Sequence, residues 1–251
     1  MRHDDLQQLL MEASSKYRNV RLAVIDWADL RAYRRSLSRY PHNPRIAAIL
    51  ADPLFPHGGR AESVWRLWLD RPHRRLLEHF KPRDRLEEIS GGDERHYWQY
   101  FPGKHRAYET EARADDSDSP WPQFTRWLHP VVAELLDPSF LWRTPEGAVR
   151  EPTLELTGRG QHLGREALRV RAKVLDWESR DLWSENLWVA DEYEFLVDAD
   201  VGVLLRISCL LDDEEFSVRE LFDVAFDVPM DSSLFLLRAP PDTSLDFSEQ
   251  S

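Results

Sequence analysis

Residues 157–168, TGRGQHLGREAL, place Gly158, Gly160 and Gly164 where a phosphate-binding loop would place them. Such a loop works only where it joins a strand to a helix, because the helix N-terminus supplies N–H donors to the phosphate. Here Leu168, Val170, Ala172 and Val174 alternate with Arg169, Arg171 and Lys173, and no Lys-Ser/Thr pair is present. The glycines therefore read as a bulged hairpin. DADVG (198–202) begins like a calcium loop but lacks the closing bidentate Glu and sits between strands, so it reads as a hairpin turn. Gly202 closes that turn, where positive φ is common. The nine histidines form no His-x-His or His-x-x-x-His pair, and Cys209 is the only cysteine. No metal centre and no disulfide are expected, and Cys209 reads as a buried, inert thiol. There is no Gly-x-Ser-x-Gly elbow. Glu87–Glu88 and Glu214–Glu215 are adjacent in strands or turns, so they face opposite sides and form no carboxylate dyad. No catalytic constellation and no cofactor motif emerges, and the chain is read as a non-enzymatic protein.

Composition narrows the partners. Lys+Arg 33 against Asp+Glu 45 gives a net charge of -12, which repels phosphate backbones and argues against nucleic acid. The arginine-dense patches at 31–35 and 71–75 have acids nearby and read as solvated faces. MRHDDLQQLLMEASSKYRN has no continuous apolar segment, and no run approaches the about 20 residues that span a bilayer. A cytoplasmic, soluble chain is the expectation. Its ten tryptophans suit either a core or the wall of an apolar cavity.

The elements follow from periodicity. Leu6, Leu9, Leu10, Ala13 and Tyr17 lie at helical spacing, and a strand follows near Val20, Leu22 and Val24. Residues 31–60 fit strand or helix. From Ser63 to Arg113 a meander is predicted, with a hairpin signal at Gly91–Gly92. ADDSDSPWP (114–122) is an acidic linker. The stretch 123–142 is apolar at helical spacing but broken by Pro130 and Pro138, which predicts short helices lying across a sheet as a lid. Strands resume after Val149. Tyr193, Phe195 and Val197 alternate with Glu192, Glu194 and Leu196, and strict alternation puts Val203, Leu205, Ile207, Cys209 and Leu211 on one face. The predicted fold is α+β and mainly antiparallel β: a curved, incompletely closed barrel or sheet with short helices covering its concave face. It is read as one domain over 1–238, with a flexible tail over 239–251.

Several segments together resemble the LolA/LppX/RseB-like superfamily. They are VWRLWLDRPHRRLLEH (64–79), GGDERHYWQYFP (91–102), VVAELLDPSFLW (131–142), TGRGQHLGREALRVRAK (157–173) and EYEFLVDADVGVLLRI (192–207), and the resemblance as a whole covers the chain from about Tyr17 to about Phe235. The resemblance implies a half-open antiparallel barrel plugged by helices that carries or senses lipid or lipoprotein, or binds a protein partner. Its members act outside the cytoplasm and carry signal sequences, whereas this sequence begins MRHDDLQQ, so transport of lipoproteins across a periplasm is not expected here. The expected function is binding of an apolar or amphipathic, lipid-like molecule between sheet and lid. The alternative is a cytoplasmic protein–protein regulatory module with no ligand. Trp65, Trp98, Tyr100, Val170 and Phe195 are the candidate ligand-binding residues.

Overall fold

The computed structural model describes residues 3–53, 55–71, 74–82, 84–93, 96–111, 129–141, 153–173, 189–237 and 239–247. Leu6 and Leu10, four residues apart, share one face of α1 (His3–Met11), and both are buried. Asp4 and Asp5 in its first turn suit the positive end of the helix dipole. β1 (Asn19–Asp29) comes next. Its last residue caps α2 (Leu30–Leu37): the Asp29 carboxylate accepts from the N–H of Arg31 at 2.8 Å and of Ala32 at 3.0 Å. The segment that periodicity leaves open between strand and helix thus resolves into α2 and α3 (Pro44–Ala51), with Pro44 in the first turn, where its missing N–H costs nothing.

The remaining elements are β2 (Arg60–Asp70), β3 (Arg74–Lys81), β4 (Arg85–Gly92), β5 (His96–Phe101), β6 (Arg106–Glu111), α4 (Pro130–Leu136), β7 (Thr153–His162), β8 (Arg165–Lys173), β9 (Glu192–Asp198), β10 (Leu204–Leu211), β11 (Glu214–Phe226) and β12 (Ser244–Phe247). Hydrogen bonds order the strands β12-β6-β5-β4-β3-β2-β1-β11-β10-β9-β8-β7. Eleven of them make an antiparallel sheet, and β12 adds in parallel to β6. With β12 and β7 as its edges, the sheet does not close into a barrel. A mainly antiparallel, unclosed sheet with a few short helices agrees with the alternation. β12 departs from expectation: it lies in the stretch expected to fray, yet its backbone pairs with Arg106 to Glu109.

Alternation fails locally in β10. The extra residue there is Leu205, between Leu204 and Arg206; a second bulge lies in the partner strand β11, where Phe216 is the extra residue opposite Cys209 and Leu210. Each extra residue reverses the parity of the strand beyond it. Leu204 therefore pairs with Val197, on the same face as Ile207 opposite Phe195 and Cys209 opposite Tyr193. The β10–β11 turn is Asp212–Asp213, with φ of 55° and 63°, the left-handed pair a two-residue hairpin demands.

By its contacts the chain divides into two compact units. The first comprises Met1–Lys16, Ile25–Glu62 and His129–Glu220; the second comprises Tyr17–Val24, Ser63–Leu128 and Leu221–Ser251. The acidic linker, residues 123–128 of the expected lid and the tryptophan-bearing stretch 174–188 lie outside the described residues. Of the lid, α4 and a 3-10 turn over Pro138–Leu141 are described. No described helix is long and apolar enough to cross a membrane.

Candidate functional site

In an antiparallel ladder directly paired residues point to the same side, so register assigns faces. In the first unit, Leu168, Val170 and Ala172 of β8 stand opposite Val197, Phe195 and Tyr193 of β9. These in turn stand opposite Leu204, Ile207 and Cys209 of β10. All nine are buried. α4 packs against β10 and α1 against β7, and Val131, Val132, Leu135, Leu136, Leu6 and Leu10 are the buried apolar residues of the two helices. Two of the sequence candidates, Val170 and Phe195, are thus a directly paired couple in an apolar wall, each 1% exposed.

A charge sits inside this wall. Arg219 of β11 pairs with Ile207, so it points to the apolar face. Its Nε donates to Asp26 of β1 at 3.1 Å, and its Nη1 donates to Glu134 of α4. The three side chains are 4%, 15% and 7% exposed. Burial pulls the Arg219 pKa down, but Glu134 and Asp26 outweigh it and hold the guanidinium above its ordinary value. Glu134 therefore pins the lid helix to the sheet through a desolvated ion pair. Asp26, Glu134 and Arg219 are separated by 85 to 193 residues in the chain, so no local motif announces them. The signal the sequence does carry is parity: Arg219 falls between Ser217 and Leu221, on the buried alternation of β11.

Burial also pushes the nearby Cys209 thiol up; Arg219 pulls it the other way and the carboxylates add to the rise. Tyr33 of α2 is pushed up to about 12 by burial, with Cys209 as its second influence. Neither group is poised to ionise near neutrality. The folded protein should leave Cys209 unreactive toward Ellman's reagent, with one thiol appearing on unfolding in guanidinium. Stoichiometric reaction of the native protein within minutes would contradict a sealed wall. Among the described residues no group of three or more His, Cys, Asp or Glu gathers as a metal site.

The opposite face of the same strands is charged. Arg171 Nη2 donates to Glu194 at 2.9 Å, and Arg206 Nη2 to Glu215 at 2.6 Å. On this face His162 of β7 lies within 3.7 Å of Glu220 of β11, across three intervening strands. The result is a groove of about 380 Å³ lined by Thr157, Arg169, Arg171, Glu194, Arg206 and Glu215, among others. A smaller hollow of about 290 Å³ involves Trp27, Asp29, Arg31 and Arg60, with the Arg60 guanidinium 4.3 Å over the Trp27 ring.

The other three candidates belong to the second unit. Trp98 and Tyr100, two residues apart on β5, share a face and are buried. Trp98 packs with Leu76 and Phe235, and Trp68 joins the same cluster. Trp65 is three residues from Trp68 on β2, so it points to the opposite side of the sheet. There it stacks on His79, ring centroids 3.8 Å apart and 5° from parallel, and its Nε1 donates to Ser63 Oγ at 3.0 Å. The structure therefore brings Trp98 and Tyr100 together and, separately, Val170 and Phe195, and it sets Trp65 apart.

No family model matches the chain, and no curated protein matches it. Solved structures that it resembles include a LolA superfamily protein from Nitrosomonas europaea (10% identity, 92% of this chain and 97% of that one, TM-score 0.34). Another is the Mycobacterium tuberculosis lipoprotein LppX (10% identity, 90% and 96%, TM-score 0.44). A third is the Pseudomonas aeruginosa MucA/MucB complex (12% identity, 96% of this chain and 62% of that one, TM-score 0.44). At these identities and scores the likeness assigns this chain neither a ligand nor a partner.

Proposed function

We propose that the chain is a non-enzymatic binding protein that takes an apolar or amphipathic, lipid-like molecule between the apolar face of β8–β10 and the helices above it. One observation carries this reading: described elements on that face include two very short helices, α1 with 9 residues and α4 with 7. Helices of this length have almost no stability of their own and persist through their buried leucines. Such a cover opens at lower free energy than the hydrogen-bonded sheet beneath it. An acyl chain entering there would replace helix contacts by contacts of the same kind, at about 0.8 kcal/mol per buried methylene. A dansyl-labelled fatty acid should bind saturably, and native mass spectrometry of freshly purified protein should show a copurified apolar molecule. Absence of saturable binding across several acyl and polycyclic probes, with no copurified species, would end this reading.

A second reading rests on the groove of the opposite face. Its Arg171–Glu194 and Arg206–Glu215 pairs are half-exposed, so a partner's carboxylates and amines can exchange with them. Under this reading the protein is a protein-binding module, and partner capture weakens steeply with added salt.

A further inference from the structure

In the second unit the chain fills an aromatic pocket with its own C-terminal segment. Gly91 of β4 pairs with Trp98 on one side and Leu76 on the other. A Cβ at Gly91 would stand 2.5 Å from Trp98 Cζ2 and 2.8 Å from its Cε2, so the indole lies across the strand where only glycine leaves room. Leu76, Trp68 and Ile89 complete the wall. Into it goes Phe235, 4% exposed, at the end of a 3-10 turn, Ser232–Phe235, capped by Asp231. Trp98 Nε1 donates to the Phe235 carbonyl at 3.1 Å, and the Arg74 guanidinium lies 5.4 Å over the Phe235 ring. Further along, Ser244 N donates to His105 O, and β12 adds to the edge strand β6.

An aromatic anchor in a pocket combined with main-chain addition at a sheet edge is how extended peptides are recognised. The hold on this segment is slight. From Asp227 to Ser244 Phe235 is the one buried side chain among those described, and Leu236 is 62% exposed. Met230, Leu234 and Leu237 pack on the same cluster but stay only partly buried; these contacts, one buried anchor and a four-residue strand must offset the entropy of ordering about twenty residues, so the segment belongs among the parts that open locally.

We propose that this face is a peptide-docking site occupied in cis, and that its partner is a protein segment of the same chemistry. That segment has a Leu-Phe anchor, an aliphatic residue two positions later and an extended stretch after it, as in Leu234, Phe235 and Leu237. The site uses none of the residues on the β8–β10 face proposed for the lipid-like ligand, and Trp98, a sequence candidate for that ligand, belongs to this pocket instead, so either reading can fail alone.

The test uses the full chain carrying Phe235→Ala and a fluorescein-labelled synthetic peptide spanning residues 229–247, monitored by anisotropy. With its own anchor removed, the variant should bind the peptide about tenfold more tightly than the unaltered chain, whose pocket is mostly occupied. A peptide with the same Phe replaced by Ala should not compete. A folded variant that fails to bind the peptide would overturn the proposal. Should Phe235→Ala lose its fold, hydrogen exchange of the unaltered chain decides: amides of 232–247 should exchange well before those of β3–β5. Exchange of both in one global step would overturn it equally.

Discussion

Replacing Arg219 with alanine should destabilise the protein by about 3–5 kcal/mol, the usual consequence of removing one partner from a buried ion pair. Asp26 and Glu134 would keep their positions at the apolar wall and lose the cation between them. Water cannot easily replace it, because the Glu134 side chain is 7% exposed and Asp26 15%. The attraction lost is only part of the effect. The larger part is the desolvation of two carboxylates that the guanidinium had offset. For that reason a combined Asp26→Leu, Glu134→Leu, Arg219→Met variant should recover most of the loss, since a wall with no buried charge has nothing left uncompensated. Urea midpoints at unchanged slope would measure both effects. An Arg219→Ala variant within about 0.5 kcal/mol of the parent would mean that α4 is not pinned through this contact.

That triad marks where reading the chain stops. β9 was legible residue by residue: Tyr193, Phe195 and Val197 fall on the buried side, as period two requires. The Gly158 hairpin was legible as well, because a bulge falls between Leu156 and Gly158. β10 was half legible. Its apolar residues mark a strand buried on both faces, and such a strand carries no alternation to reveal a bulge. The parity of Leu204 comes from backbone pairing alone. The candidate residues fared by the same rule. Val170 and Phe195 lie on cleanly alternating strands, and they meet. Trp65 and Trp98 lie on strands separated by a further pair of strands, and neither alternation says which faces coincide. Asp26, Glu134 and Arg219 come from two strands and a helix far apart in the chain, so only the completed fold makes them neighbours.

Gly202→Val should destabilise the protein by about 2–4 kcal/mol through two independent effects. The first is conformational. Gly202 has φ of +88°, a region that β-branched residues avoid most strongly. The turn cannot relax to escape it, because Gly202 N donates to Asp198 O at 2.9 Å. The fully buried Asp198 also accepts from the N–H of Asp200 at 2.9 Å and of Val201 at 2.8 Å, and from Arg165. The second effect is contact. A Cβ at this position would overlap the Leu9 carbonyl oxygen and stand 3.0 Å from the Leu9 carbonyl carbon. That obstacle is helix backbone, so it cannot rotate aside and α1 itself must move. Gly202→Ala meets the same obstacle with less rotamer restriction, and should keep most of the loss. Denaturation midpoints measure the sum. Hydrogen exchange separates the parts: the contact effect predicts faster exchange in α1 while β9 and β10 stay protected. A valine variant as stable as neutral surface variants would remove both effects at once. A destabilised variant with α1 still protected would leave turn strain as the whole cause.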